Sequence, residues 1–584
     1  MLFPVRWILP LSQLLFITAT SANGPIVSLD YGTFLGVKDR NLTKFLGVPY
    51  SEPTSAFILC FIHLPRPDSS SARFELPRLP VPLPSIQNAT VFGPPCPAQM
   101  LSDTTPINFT NPITIVSEAC LLLDVFSPAL DSHSKFPVLV FIIDSPDGKL
   151  LSSGGFEAGS SAETDVRPTV EHSILLGEPV VVVVPNYRVS AFGFLAGKEV
   201  ADAGITNLGL RDQIFALEWV QQHISAFGGD PDRVVLGGLS AGAFSTGLLL
   251  LSNNQNSSGL FRGAFMVSVS VVPTPPLVCE HPQVSGSPLP SPTVADGQPS
   301  YDELVEANNC TTARNTLDCL ARVPLDAFMA IVNKTPDVFS YRSLSLVWRP
   351  RVDGDVIVRN PIESVAQGAF AKGDHNATSQ VPIMSGDCDD EGTCVQMLVH
   401  KDKKLTAPQV VFLLEHERYV DVLNQVSRTD AEFLDYLQSN FLPAGTPAQV
   451  AQIAALYPQD PAQSFGFPAL PLLHQDVFDA PNRPKHLRAG ERKHRGLKYT
   501  PKATTLPPTS VSAVWVTGWQ NHVEQLFQSQ EIFYTKNWLT AVPPRGPVAL
   551  AEVHHVPERT PAVFLELLRE WMKGMNTISP RHIR

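Results

Sequence analysis

Charge is scarce in this chain. Of its 584 residues only 17% are Asp, Glu, Lys or Arg, and the balance is acidic, with a formal net charge of −12 at pH 7. So few cations leave no footprint for a phosphate backbone, and nucleic acid is set aside as a partner. The strings that build zinc sites are missing as well: the eight cysteines include no C-x-x-C pair, and no H-E-x-x-H occurs. Neither a metal nor a cofactor is expected. Internal repeats are absent, which excludes a solenoid or a propeller. Beyond the N-terminus no segment offers the ~18 uninterrupted apolar residues of a membrane-spanning helix.

What is present is apolar. Hydrophobic residues make up 44% of the chain, ample for a packed core. Length alone would suggest roughly three or four domains, yet large α/β enzymes run past that prior as one unit. One domain over residues 23–584 is the expectation. The 54 prolines, nearly twice the usual share of about 5%, put much of the chain in loops. The start, MLFPVRWILPLSQLLFITATSANG, has Arg6, an apolar stretch from Trp7 to Ile17 and small residues at Thr20 to Ala22. It reads as a signal peptide over residues 1–22, and Pro10 and Gln13 interrupt it too early for a spanning helix. Seven N-x-S/T sequons, at Asn41, Asn88, Asn108, Asn256, Asn309, Asn333 and Asn376, agree with a secreted glycoprotein.

The chain alternates strand and helix signals. Ile26–Tyr31 and Gly32–Val37 read as a hairpin, and strands follow at Leu121–Phe126, Val138–Ile143 and Val180–Val184. The last two are continuous β-branched runs, the pattern of central strands covered on both faces. Over Leu210–Ile224, the spacing of Leu210, Ile214, Leu217 and Val220 predicts a helix with one face on the sheet. Further helices are predicted at 301–308, 315–332 with a break at Pro324, 409–424, 429–440 and 446–456. This is an α/β arrangement.

One stretch organises the rest. Val234-Val235-Leu236 leads into Gly238-Leu239-Ser240-Ala241-Gly242, and a helix-forming segment leaves it. A G-x-S-x-G between strand and helix is the setting of a nucleophile elbow. Its serine stands on a sharp turn, its glycines admit close backbone approach, and the helix N-terminus favours developing negative charge. An ordinary glycine turn is the alternative.

The run GITNLGLRDQIFALEWVQQHISAFGGDPDRVVLGGLSAGA resembles the corresponding segment of the cholinesterase-like (type-B) carboxylesterases and lipases, especially secreted fungal members. That family usually carries Glu where this chain has Leu239, a pocket position outside the triad. The resemblance implies an α/β-hydrolase fold, a central mostly parallel sheet flanked by helices. It also implies a serine ester hydrolase acting on a small-molecule or lipid ester, with contact to a lipid interface left open. Ser240 would be the nucleophile. Glu391, in VPIMSGDCDDEGTCV, matches the family's acid, with Asp389 and Asp390 as rivals. His555, in ALAEVHHVPERTPAVF, loosely matches the base although Val556 replaces the usual glycine, and His554 and His522 compete. The oxyanion hole would be formed by Ala241 and by Gly154 and Gly155, all that remains of the family's His-Gly-Gly-Gly-Phe. Asp353-Gly354 resembles another landmark, with a structural carboxylate. The resemblance pairs Cys96 with Cys120 and Cys310 with Cys319, while Cys388 and Cys394 are open to pairing. Two other readings remain: a catalytically impaired member with a recognition or adhesion role, and a secreted peptidase on the same elbow.

Four stretches interrupt otherwise continuous motifs, near 55–71, 144–153, 267–283 and 486–520. Cys60 and Cys279 fall inside the first and third. The last is basic and loop-like, with Arg488, Arg492, Lys493, Arg495 and Lys498, a pattern that fits a solvated face better than an anion site. They are read as inserts, some of them translated intervening sequence. Sequencing the messenger RNA is expected to find a transcript without some of them, and a message that runs uninterrupted through all four would defeat this reading.

Overall fold

The computed structural model describes residues 24–52, 73–100, 116–128, 135–143, 154–163, 165–252, 259–267, 291–338, 345–366 and 383–385, with short pieces between 431 and 454 and at 540–541. Twelve strands run through the described residues: β1 Ile26–Leu29, β2 Gly32–Leu35, β3 Val37–Asp39, β4 Leu42–Pro49, β5 Ile86–Asn88, β6 Leu122–Pro128, β7 Phe136–Ile142, β8 Val181–Pro185, β9 Gly229–Leu239, β10 Gly263–Val267, β11 Ile383–Ser385 and β12 Thr540–Ala541. Nine of them form one sheet in the order β12-β11-β10-β9-β7-β8-β6-β4-β3, and β1-β2-β5 form a small second one. The five central strands β8, β7, β9, β10 and β11 are parallel, while β6, β4 and β3 on one margin and β12 on the other run antiparallel. The parallel character is therefore concentrated at the centre, where both faces are covered.

The Val-rich runs explain that centre. All five residues of β8 are buried. Val138, Val140, Ile142, Val181, Val183, Val234 and Leu236 pack into one cluster, while Leu139, Val182, Val184, Val235 and Phe265 pack into another on the opposite face. Successive side chains of a strand point to opposite faces, so a run without polar interruption fills two layers at once. Burying each such side chain stabilises the fold by about 1.5–3 kcal/mol.

Among the described residues the helices are α1 Arg167–Leu175, α2 Ser190–Phe194, α3 Lys198–Asp202, α4 Leu208–His223, α5 Ala241–Leu251, α6 Gln298–Ala307, α7 Thr316–Arg322, α8 Leu325–Val332, α9 Pro361–Ala366 and α10 Pro447–Ala454. Pro324 separates α7 from α8, since its ring and missing N–H cannot continue a helix. The α4 stripe of Leu210, Ile214, Leu217 and Val220 is buried, but so are Asp212 and Gln213, so the helix buries more than the single face its periodicity predicts. Specific partners make this tolerable. Asp212 receives Arg188 Nε at 2.8 Å and Nη2 at 2.6 Å, and Gln213 Nε2 donates to Ser245 Oγ at 3.1 Å. Arg188 also reaches Glu75 O at 2.8 Å. Both charges are almost wholly buried, so removing one partner strands the other and costs about 3–5 kcal/mol.

Among the described residues two disulfides are formed, Cys96–Cys120 and Cys310–Cys319. The predicted helix at 409–424 lies outside the described residues, as does most of 429–440. The inserts expected at 55–71, 144–153 and 486–520 lie outside them too. Val267 closes β10, so the third interruption begins no earlier than the next residue. The chain flanking the first is stitched together, with Glu52 N donating to Arg78 O at 2.9 Å and Ser51 Oγ donating to the same oxygen at 3.0 Å.

Asp124 in β6 sits where the core begins. Its Oδ1 accepts the Gly47 N–H at 2.7 Å, yet burial dominates and pushes its carboxyl up to about 7, against the pull of Ser161 and Gly47. Below about pH 4 the folded and unfolded chains both hold the proton. Between there and pH 7 only the folded chain holds it, so stability falls as pH rises, by about 1.4 kcal/mol per pH unit for this group, and levels off above 7. Asp124→Asn removes the titration and can keep the Gly47 bond. Urea unfolding midpoints at pH 5 and pH 8 should therefore differ less in the variant, with the variant the more stable at pH 8. An unchanged pH dependence would count against a buried acid here.

Candidate active site

Ser240 is the single residue between β9 and α5, at φ 53° and ψ −120°, and it is 5% exposed. A non-glycine residue at positive φ is strained by roughly 1–3 kcal/mol and persists only when its surroundings over-determine it. The flanking glycines supply that constraint. A Cβ on Gly238 would lie 1.9 Å from Gly242 O, and one on Gly242 would lie 2.1 Å from Ile142 O at the end of β7. Strand, turn and helix are thus in backbone-to-backbone contact. Phe244 N donates to Ser240 O at 3.0 Å, and Thr246 Oγ1 donates to Gly242 O at 2.9 Å. Ala241 opens the helix, so its N–H has no intrahelical acceptor and stands at the positive end of the peptide dipoles.

The second segment of interest resumes at Gly154. Gly154 through Ala158 are buried, and Gly155 and Phe156 take consecutive left-handed conformations, φ 57° and 67°. Gly154 O accepts from Glu157 N at 2.7 Å and Ala158 N at 3.1 Å, and Phe156 O accepts from Ser190 N at 2.6 Å. The Phe156 ring meets Phe194 edge-on, 5.1 Å between centroids. Glu157, which the sequence reading passed over, is fully buried, and its Oε2 accepts the Val338 N–H at 2.8 Å. Desolvation holds its carboxyl well above the ordinary range, with Asp337 adding to the effect. The only signal in the sequence was an acid among small and apolar neighbours, GGFEAG.

Glu391, Asp389 and Asp390 lie outside the described residues, as do His555, His554 and His522 and the cysteines Cys388 and Cys394. The strand that precedes the acidic cluster is described. Ser385, the last residue of β11, pairs with Met266, which pairs with Gly238. The chain therefore leaves β11 at the same edge of the sheet as the elbow, two strands and roughly 10 Å across. Asp353 has a structural role: its Oδ2 accepts from Thr206 Oγ1 at 2.7 Å and Asn207 Nδ2 at 2.8 Å, and its Oδ1 accepts from the backbone of Asp355 and Ile357. Among the described residues no group of three His, Cys, Asp or Glu is placed to hold a metal ion.

Comparison with known proteins gives this geometry a context. The model of the Carboxylesterase family matches residues 23–455. The secreted triacylglycerol lipase LIP1 of Gibberella zeae is 31% identical over 470 residues, covering 77% of this chain and 67% of that protein. Secreted lipase 1 of Botryotinia fuckeliana is 31% identical over 436 residues, covering 73% and 68%. The crystal structure of Aspergillus niger EstA superposes with a TM-score of 0.56 at 24% identity, over 78% of this chain and 72% of that one. At that identity the likeness speaks to the fold, the α/β-hydrolase arrangement.

The elbow's steric demand is testable without a substrate. Gly242→Ala places a methyl against the Ile142 carbonyl, which cannot swing aside as a side-chain tip would, so the cost should reach the 1–3 kcal/mol typical of overpacking or exceed it. Thermal unfolding should show a clearly lowered midpoint. Gly177→Ala, at a left-handed position with open space around it, pays only the backbone strain and should fall by less.

Proposed function

Because the chain belongs to the carboxylesterase family and is a carboxylic ester hydrolase, we propose that it is secreted and cleaves its ester through an acyl-enzyme on Ser240. The observation that carries this reading is the strained turn at Ser240, wedged between β9 and α5 by Gly238 and Gly242. Strain kept in so constrained a setting holds the hydroxyl at the strand-to-helix junction, beside the N–H groups that open α5.

In the proposed reaction His555 accepts the Ser240 proton as Oγ attacks the ester carbonyl carbon, and Glu391 holds the imidazole tautomer and stabilises the imidazolium. The carbonyl oxygen takes up negative charge, which the N–H groups of Ala241, Gly155 and Gly154 bind. The C–O bond to the alcohol then breaks, the alcohol leaving with the proton from His555. Water, deprotonated by the same base, attacks the acyl carbon; the bond to Oγ breaks, the proton on His555 returns to Ser240, and the acid is released. The relatives named secreted lipases support an ester lipid as substrate and an extracellular site of action. We further propose that residues 23–584 form one domain carrying the four inserts.

A fluorophosphonate probe labels only an activated serine, and it tests the mechanism directly. The unmutated protein should label, Ser240→Ala should take no label, and His555→Ala should lose labelling. Turnover of a chromogenic ester should fall by ~10⁴-fold or more in each single variant, with no further loss in the double variant, because the two residues act as a unit. Full labelling of His555→Ala would move the base to His554 or His522, and a folded protein that never labels would end the hydrolase mechanism on Ser240.

A further inference from the structure

Two consecutive left-handed residues, Gly155 and Phe156, turn the chain just after the first proposed oxyanion donor. The turn is closed from within by Glu157 N and Ala158 N donating to Gly154 O, and Ser190 N donates to Phe156 O, while glycine adds its own conformational freedom at the bend. Those bonds hold carbonyl oxygens, so the direction of the Gly154 and Gly155 N–H groups also depends on what packs beside them. Residues 335–338 supply part of that packing. A Cβ on Gly155 would lie 3.2 Å from Val338 Cβ, and two residues later the Glu157 carboxyl accepts the Val338 N–H at 2.8 Å. A third tie closes the bracket, for Gln99 N donates to Glu157 O at 2.8 Å while Gln99 Nε2 donates to Thr335 O at 2.7 Å.

A carboxyl is an expensive way to fill this space. Glu157 is 0% exposed, and its Oε1 has no hydrogen-bond partner among the described residues. A polar group buried without full compensation destabilises the fold. Burial also pushes the carboxyl well above the ordinary carboxylate range. An apolar side chain of equal reach would fill the volume without that cost, but would take away the acceptor that the Val338 N–H has here. What the carboxyl adds is direction.

We propose that Glu157 is a positioning residue of the ester-hydrolysis reaction, its clamp on the Val338 N–H setting the orientation of the Gly154 and Gly155 N–H groups toward the oxyanion. The proposal rests on the reading of those two glycines as oxyanion donors. An oxyanion donor acts on charge that develops after substrate is bound, so its misplacement lowers kcat and leaves KM nearly unchanged.

The test compares Glu157→Gln with Glu157→Leu in the full chain. The glutamine keeps a carbonyl acceptor for Val338, and the leucine keeps the bulk without it. Glu157→Gln should retain kcat within about threefold. Glu157→Leu should lose kcat by about 10–100-fold, less than the ~10²–10³ of an oxyanion donor removed outright, with KM within about twofold. Amide hydrogen exchange read by mass spectrometry should accelerate at 335–338 in the leucine variant and not in the glutamine one. A leucine variant with the kcat of the parent, or a glutamine variant as slow as the leucine one, overturns the proposal. So does unchanged exchange at 335–338, which judges the clamp even without turnover. Absence of fluorophosphonate labelling in the parent would instead overturn the mechanism on Ser240, a separate result.

Discussion

No side chain fits between the Gly238–Gly242 turn and the end of β7, and much of the molecule is arranged around that close approach. The Ile142 and Gly242 carbonyl oxygens occupy the places where Cβ atoms would be. With the main chains of β7, β9 and α5 touching, the helix axis is set by backbone dimensions instead of by side-chain packing, which relaxes more readily. Ser240 takes its strained φ because its neighbours leave no other path. The Phe265 ring lies against Gly237 in the same way, 2.2 Å from where its Cβ would be, so β10 is drawn tight against β9 just below the turn.

Around this junction the polar interior works as a set of ties between distant parts of the chain. Asn207 sits in the left-handed region at the start of α4 and exchanges hydrogen bonds with Arg351, donating to its carbonyl at 2.8 Å and accepting from its N–H at 2.8 Å. It also donates to Asp353. The helix that leads to β9 is thereby fastened to the loop that precedes α9. Such bonds are worth about 1 kcal/mol each in net stability, but leaving one partner bare inside the protein costs more. They specify which segments meet more than they stabilise the meeting.

The legible part of this fold was the part written in periodicity and glycine. Val180–Val184 and Val138–Ile143 announced buried central strands because β-branched runs without polar residues have few other solutions, and the strands stand within two residues of those spans. The elbow was legible because G-x-S-x-G has a steric reason. Asp212, Gln213 and Glu157 were not, since nothing local tells a buried acid from a solvated one; only their partners, 24, 32 and 181 residues away, do so. The disulfides Cys96–Cys120 and Cys310–Cys319 came from a family pattern and not from any property of the loops they close. Glu391 and His555 likewise rest on motif likeness, as both fall outside the described residues.

Arg73 has a consequence for the order in which the chain assembles. Its guanidinium, stacked over the rings of Phe192 and Phe328 at 5.6 and 5.0 Å, binds Glu118 and, through Nη1, the carbonyl of Leu320, 247 residues downstream. A nascent chain emerging at about 5–20 residues per second presents this cation for ten seconds or more, by that rate, before Leu320 and Phe328 exist. Until then the N-terminal part can collapse but cannot enclose Arg73, so closure of the core waits on α7 and α8. Contacts of such sequence separation are slow to form and make the interval before closure the one in which exposed valine strands are open to wrong pairings. The fold is in that sense sealed from its later half, and a chain cut short before residue 320 retains an open seam at Arg73, however many of its strands are in place.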